Sequence, residues 1–353
     1  MCGIAGFISQ NSSEANAEKL IQQMLKSIAH RGPDARGIWM NAPVFLGHNR
    51  LSIIDLSKDG NQPMEYFDSV ITYNGEIYNY IEVREQLIKL GYSFKTKSDT
   101  EVILAAYREY GKQCVHHFVG MWAFAIWDKK EELLFCSRDR FGIKPFYYLH
   151  EVEQFYFGSE YKALKSSPLF SDDLNLAQVA RGLQLGWVCY EEETYYTGLK
   201  SLPASHNLIF SKGRVIIEKY WDIDFNKRYS GTVEQKKQEF LKLFEDSIRL
   251  HMRSDVEVGA CLSGGLDSSA IASAISVYFP EAKPKTFTIY YEGKDSVDER
   301  PFVQEVLKKY PALEPNYFSP SDRQIEESFE KAVYHADVPI TSSSPLSQYF
   351  VMH

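Results

Sequence analysis

The sequence predicts two unlike halves. The first is an α+β domain of stacked antiparallel sheets with helices packed outside, and the second is an α/β domain around a parallel sheet. Three observations carry this. A length of 353 residues makes two domains the default at roughly 150 residues each. Short apolar runs separated by charged or glycine-containing turns fill residues up to about 200, without regular strand–helix alternation, so they read as antiparallel hairpins. From about residue 230 strand and helix alternate, the pattern of a parallel sheet. No internal repeat or low-complexity segment is present.

The elements follow in order. "CGIAGFIS" is a short apolar strand. Ala17, Leu20, Ile21, Met24, Leu25 and Ile28 recur at helical spacing, and the helix stops at "HRGPD", where Gly32 and Pro33 break it. "APVFLGHNRLSIID" and "SVITYNGEIYN" are strand-like, and a helix then runs to Gly91. Ser98 or Asp99 can cap the next helix, "TEVILAAYREYG". "MWAFAIWD", "ELLFCSRD", "PFYYLH" and "QFYFGS" are the hairpin strands. A linker is expected over 214–230, dividing domains at 2–213 and 231–353. Beyond it come a long helix, "VEQKKQEFLKLFEDSIRLHM", and a strand, glycine loop and helix in "DVEVGACLSGGLDSSAIASAISVYF". "KTFTIYY" is a strand, "VDERPFVQEVLKKY" a helix and "EPNYFS" a third strand.

Composition narrows the function. Hydrophobic residues make up 44% of the chain and aromatics 14%, enough for a substantial core. The net charge of −8, with no Lys/Arg cluster, argues against a nucleic-acid partner. The longest apolar run, Met121 to Trp127, is far short of a membrane span. The N-terminus has no basic region followed by an apolar run, so no signal peptide is expected. Cys2, Cys114, Cys136, Cys189 and Cys261 show no CxxC spacing and read as reduced thiols of a cytoplasmic protein. No His/Cys spacing supports a zinc site.

The chemistry starts at residue 2. Once Met1 is removed, Cys2 carries a thiol and a free α-amine. At neutral pH a thiol with a pKa of about 8.5 is only a few per cent thiolate, and an amine with a pKa of about 8 is roughly a tenth unprotonated. The amine can take the thiol proton, so nucleophile and base share one residue. Asn74 and Gly75 offer a side-chain amide and a main-chain N–H to an oxyanion. Arg50 can fork onto an α-carboxylate, and Glu76 and Asp99 can take an α-ammonium. Taken singly, each has a plainer reading: a core thiol, an Asn-Gly turn, a surface arginine, a helix cap. His30 and His48 read as core or surface histidines.

A second candidate site lies in "LSGGLDSS". The N–H groups of Ser263, Gly264 and Gly265 can form an anion nest at a helix N-terminus, joined by the hydroxyls of Ser268 and Ser269. The loop is not a Walker A loop, since GxxxxGK[ST] is absent throughout.

Together and in order, "MCGIAGF", "HRGPDARG", "HNRLSIIDLS", "YNGEIYNY", "SDTEVIL", "FAIWD" and "RDRFGIKPFYY" resemble the class II glutamine amidotransferase domain, over residues 2 to about 200. The resemblance implies an Ntn-hydrolase-like fold, Cys2 as nucleophile, and Asn74 with Gly75 as oxyanion hole. It implies that Arg50, Glu76 and Asp99 hold glutamine, with backbone help from Leu51, Ser52, Ile53 and Ile54. The "HRGPD" loop would help close the pocket.

"LSGGLDSS" is similar to the pyrophosphate loop of ATP pyrophosphatases, which form acyl-adenylates. That likeness implies ATP as cofactor, with Asp267 placing Mg²⁺ and with Leu262 and Ile289 lining the adenosine pocket. The order of the two domains resembles the glutamine-hydrolysing asparagine synthetase family. It implies glutamine, ATP and aspartate as substrates, and a tunnel carrying ammonia between the sites. A related enzyme amidating another carboxylate, of a sugar acid or a secondary metabolite, and a glutaminase-only fragment are the alternatives. A homodimer is left open. The family pattern continues beyond a segment like "DVPITSSSPLSQYFV", so the second domain is expected to be incomplete and adenylation absent or crippled. Trp122 also departs from the small-residue run usual in the family, and a reshaped local core is expected there.

Overall fold

A computed structural model describes residues 1–10, 13–293, 298–340 and 342–352. It divides into two units, Met1–Phe225 and Asn226–His353. The first unit begins with β1 (Gly3–Ser9), α1 (Glu14–Ser27), β2 (Ala35–Asn41), β3 (Val44–Arg50), β4 (Met64–Tyr66) and β5 (Ser69–Ile77). Next come α2 (Tyr80–Lys89), α3 (Asp99–Tyr110), β6 (Gly120–Asp128), β7 (Leu133–Arg138), β8 (Tyr147–Glu151) and β9 (Gln154–Gly158). It closes with α4 (Tyr161–Leu164), α5 (Leu176–Leu185), β10 (Lys200–Ser201), β11 (His206–Ser211) and β12 (Arg214–Lys219).

These strands form two six-stranded sheets, ordered β10-β8-β9-β1-β3-β2 and β12-β11-β7-β6-β5-β4. Their pairings are antiparallel. Ile4, Ile8, Val44 and Leu46 of the first sheet meet Val70, Ala123, Ala125 and Cys136 of the second in one buried core. On the other face of the second sheet, Ile71, Tyr73 and Phe124 pack against Val83, Leu87, Val102 and Ile103 of α2 and α3. α1 covers the first sheet. A Cβ on Gly47 would lie 2.8 Å from Leu25 Cδ1 and 3.1 Å from Ile21 Cδ1, so glycine permits that close approach. The layers are helix, sheet, sheet, helix, as expected from the strand pattern. With both sheets covered on two faces, β1 and β3 are buried along their whole length.

Strand alternation then positions the candidate residues. Val44 and Leu46 of β3 face the inter-sheet core, so His48 and Arg50 follow on the same side. Val70 of β5 faces that core, and Asn74 and Glu76 follow it, while Tyr73 and Gly75 turn toward the helices. His48 fills a core position: its Nε2 bonds the Tyr73 carbonyl at 3.0 Å, and burial pushes its pKa down to about 3. Trp122 is buried, and its indole N–H donates to Ser137 Oγ at 3.0 Å.

Residues 214–230 do not begin as a linker. Arg214–Lys219 is β12, joined to β11 through Lys212 and Gly213, whose φ values are 49° and 72°. Two successive positive φ values are those of a tight hairpin turn. The strand is an exposed edge rich in charge, which hides it among linker-like residues. Likewise "APVFLGHNRLSIID" is strand only to Arg50, and the rest forms the loop that shapes the site. In the first unit α4, α5 and the strands β2, β4, β10 and β11 have no counterpart in the sequence reading.

The second unit contains α6 (Val233–His251), β13 (Gly259–Cys261), α7 (Leu266–Tyr278), β14 (Lys285–Ile289), α8 (Arg300–Lys309), β15 (Glu314–Phe318), α9 (Asp322–Ala336) and α10 (Ser344–Met352). Its three strands are parallel in the order β13-β14-β15. The helix expected over 297–310 begins at Arg300, and Val297 lies outside the described residues. Capping boxes, Thr232 with Gln235 and Ser321 with Gln324, start α6 and α9. Among the described residues, no helix is long and apolar enough to cross a membrane.

Candidate active site

Cys2 stands just before β1, against the end of β3. The Leu51 N–H donates to its Sγ at 3.4 Å, and the S–H faces the Leu51 carbonyl at 3.5 Å. The Cys2 carbonyl accepts from Arg31 Nε at 2.9 Å. Arg31 is held in turn by Glu160 at 2.7 Å, so the "HRGPD" turn lies beside the nucleophile. Gly32 is required there, because a Cβ would fall 2.3 Å from the main chain of Asn49.

A crevice with about 80 Å³ of free space opens at Cys2. Arg50, Asn74, Gly75, Glu76 and Asp99 line it, together with Leu51, Ile53 and Ile54. Residues from Cys2 to Lys144, far apart in the sequence, thus share one small space. Ser52 is the exception. It does not line the crevice, because its N–H turns away to donate to Asp34 Oδ2 at 2.7 Å.

Asn74 is 1% exposed, and its Nδ2 is buried without a hydrogen-bond partner among the described residues. Such an atom costs stability unless a ligand satisfies it. Gly75 is fixed by packing: a Cβ would meet the Met121 carbonyl at 2.2 Å and the Tyr73 ring at 2.6 Å.

Asp99 opens α3 but does not cap it, since Ser98 Oγ accepts from Thr100 N–H at 3.1 Å. The Asp99 carboxylate is buried and accepts from Tyr73 O–H and Ile77 N–H, both at 2.9 Å. Among the described residues no lysine or arginine pairs with it. Burial raises its pKa against the pull of those hydrogen bonds. Burial likewise raises Glu76 to about 6, opposed by the Lys144 charge. An incoming ammonium would satisfy both carboxylates.

Arg50 does more than its sequence reading assigned. Nη1 donates to Ser57 O at 2.6 Å and Asn61 Oδ1 at 2.9 Å, and Nη2 reaches the carbonyls of Ile54 and Asp55. The guanidinium therefore organises the loop after β3 that forms one wall. Gly60 makes room for it: a Cβ would lie 2.4 Å from Nη2.

Sequence reasoning left Gly60, Gln62, Tyr73, Thr100 and Lys144 of the wall unassigned, and Lys144 is the charged one among them. Lys144 lines the crevice and is 4% exposed. Its only signal was its place in "RDRFGIKPFYY". The Cys2 thiol is raised by burial, while the Leu51 N–H, the chain amine and Lys144 pull it down.

In the second unit, "LSGGLDSS" links β13 to α7. Ser263 Oγ and Ser268 Oγ are 3.0 Å apart, and Ser268 Oγ also accepts from Ser263 N–H at 3.3 Å. Gly264 has a φ of 75°, and a Cβ there would lie 2.6 Å from Phe302 Cβ. Ser269 Oγ is buried without a partner. A loop of turned N–H groups and an unsatisfied hydroxyl at a helix start suits a phosphate. Leu262 departs from its expected place. Its side chain is buried with Ala272, Val303 and Leu313, leaving only main chain for a ligand. Ile289 ends β14 and is half-buried. Asp267 stands in the first turn of α7, and among the described residues no three metal-ligating side chains come together.

Comparison with known families agrees with this division. Residues 1–221 match the glutamine amidotransferase domain, and residues 239–353 match asparagine synthase. The chain is 38% identical to "Putative asparagine synthetase (glutamine-hydrolyzing) 2" of Methanocaldococcus jannaschii, over 99% of this chain and 71% of that one. It is 37% identical to "Asparagine synthetase (glutamine-hydrolyzing) 1" of Bacillus subtilis, over 99% of this chain and 55% of that one. A solved structure titled as the allosteric regulatory enzyme of purine biosynthesis aligns with a TM-score of 0.49 and 15% identity. It covers 90% of this chain and 81% of that one, a likeness too slight to carry the fold by itself. The chain is a class II glutamine amidotransferase joined to a synthetase unit. It belongs to the glutamine-hydrolysing asparagine synthetase family, and it spans little more than half the length of the Bacillus relative.

Proposed function

We propose that this chain draws ammonia from glutamine at Cys2 for an ATP-dependent synthesis of asparagine. The observation that carries the reading is the crevice in which the Cys2 thiol meets the unpartnered Asn74 amide and the buried Asp99 carboxylate. Asp99 and Glu76 hold the α-ammonium of glutamine, and Arg50 shapes the wall that receives its α-carboxylate. The α-amine of mature Cys2 takes the thiol proton, and the thiolate attacks the side-chain carbonyl carbon. The oxyanion is held by Asn74 Nδ2 and Gly75 N–H. The C–N bond breaks, ammonia leaves with the proton, and a thioester remains. Water then cleaves the thioester to glutamate and restores the thiol.

In the second unit, Ser263, Gly264, Gly265, Ser268 and Ser269 cradle the phosphates of ATP. Mg²⁺ accompanies the nucleotide, with Asp267 as the single acidic side chain of the loop. The β-carboxylate of aspartate attacks the α-phosphorus of ATP, the α–β phosphoanhydride bond breaks to release pyrophosphate, and ammonia then displaces AMP from the acyl-adenylate to leave the amide. The five cysteines are all free thiols, which supports a cytoplasmic setting.

The test is direct. Intact mass of the purified chain should show Met1 removed, and a glutamine-mimicking electrophile should label Cys2 alone. Cys2→Ala should abolish glutamate release from glutamine. Retained Met1, or a label on another cysteine, would defeat the mechanism. AMP release dependent on ATP and aspartate reads the second unit separately.

A further inference from the structure

Lys144 is delivered into the glutaminase crevice by a loop built for the purpose. Asp139 is fully buried, and its carboxylate accepts four main-chain N–H groups. Phe141 and Ile143 reach Oδ1 at 3.0 Å, Lys144 reaches Oδ2 at 3.0 Å, and Trp122 reaches Oδ2 at 3.3 Å. From the other side, Arg138 donates to the carbonyls of Lys144 at 2.7 Å and Gly142 at 2.8 Å. Gly142 takes a φ of 64° at the bend.

At the end of this clasp the lysine ammonium has, among the described residues, one hydrogen-bond partner, the Met1 sulfur at 3.1 Å. It makes no ion pair among the described residues. Removal of Met1 deprives it of that partner. A buried ammonium left so is costly, and it is retained here beside a nucleophile.

We propose that Lys144 is a positioning residue of the glutaminase centre, whose buried positive charge keeps the chain-terminal amine unprotonated until it takes the Cys2 thiol proton and favours the thiolate that results. This rests on Cys2 being the nucleophile. The charged groups facing it are Arg31 from the turn after α1, Glu76 from β5, Asp99 from α3 and Asp139 from its own loop. Arg31 is ion-paired with Glu160, Arg50 is engaged by the main-chain carbonyls of its own loop, and Glu76 faces Lys144 without pairing with it among the described residues. A positive charge disfavours a second ammonium and favours a thiolate, so it lowers both pKa values. Burial acts first on the Cys2 thiol and raises it, and Lys144 is among the charges that lower it; the Met1 amine of the unprocessed chain is lowered first by burial and also by Arg31 and Lys144.

Three variants of the full chain test this: Lys144→Met, Lys144→Gln and Lys144→Arg. The readouts are kcat/KM for glutamine and the rate of Cys2 alkylation by iodoacetamide, mapped by peptide mass, each across pH. The uncharged variants should move the rising limb of both profiles about one unit alkaline, a loss of about tenfold at neutral pH that shrinks toward about pH 9. Lys144→Arg should keep the parental limb. Because a partnerless buried charge is removed, the melting temperature of Lys144→Met should be equal to or above the parent's. Unmoved profiles in Met and Gln variants, or a fall in melting temperature with loss of folding, would overturn the proposal. Glutaminase activity persisting in Cys2→Ala would instead defeat the proposed function, while the alkylation profile still decides the role of Lys144.

Discussion

At the scale of single residues, the site is marked by polar atoms that folding leaves without partners. Asn74 Nδ2 is one such atom. Its amide nitrogen makes no hydrogen bond among the described residues that Ala would lose, and in the proposed mechanism it faces the position where negative charge develops. Asn74→Ala should lower glutaminase kcat by about 10²–10³ with little change in KM, as loss of an oxyanion donor does. Its melting temperature should stay at or above the parent's, which calorimetry reads. A large drop in KM-limited binding with kcat intact would place Asn74 in ground-state recognition instead.

At the scale of elements, burial of charge ties distant segments together. Glu160, just before α4, accepts from His30 at 3.0 Å and Arg31 at 2.7 Å, and it also pairs with Lys162. Burial alone would raise this carboxyl, yet these partners hold it at about 2, below its ordinary 4.5. A depressed carboxyl stabilises the fold above its unfolded pKa and loses that contribution as pH falls through the folded one. Glu160→Gln should therefore cost about 3 kcal/mol at neutral pH. The difference from the parent should fade between about pH 4.5 and about pH 2 in denaturant titrations. A constant difference across that range would mean that the loss is one of packing. Because Arg31 also donates to the Cys2 carbonyl, the variant should slow glutamine hydrolysis as well.

At the scale of the whole molecule, the two proposed chemistries fall in two separate units. Every residue of the glutaminase crevice lies between Met1 and Lys144, within the first unit. The phosphate-type loop lies wholly in the second. Gly264→Ala places a methyl 2.6 Å from Phe302 Cβ at a φ of 75°, so the loop must shift. ATP affinity, followed by calorimetric titration, should fall at least about tenfold, while glutamate release from glutamine stays at the parental rate. Loss of both activities together would show that the two sites do not work as separate centres.

Local patterns in the chain determined much of this by themselves. The Cys at position 2, the ordered motifs, the glycine loop and the apolar spacing of α1 and α3 are readable because they depend on neighbours within a few residues. Strand alternation likewise predicts that Asn74 and Glu76 share a face. Tertiary structure alone decided which faces meet. The stacking of two sheets brings residue 2 to residues 50, 74, 99 and 144, and no local period encodes contacts across such separations. It also turned Ser52 away, gave Arg50 a loop to organise, drew Arg214–Lys219 into the sheet as an edge strand, and set the Lys144 ammonium beside the thiol. The reason in each case is the same. A side chain's chemistry is set by its own atoms, but its burial and its partners are set by whatever the fold packs against it.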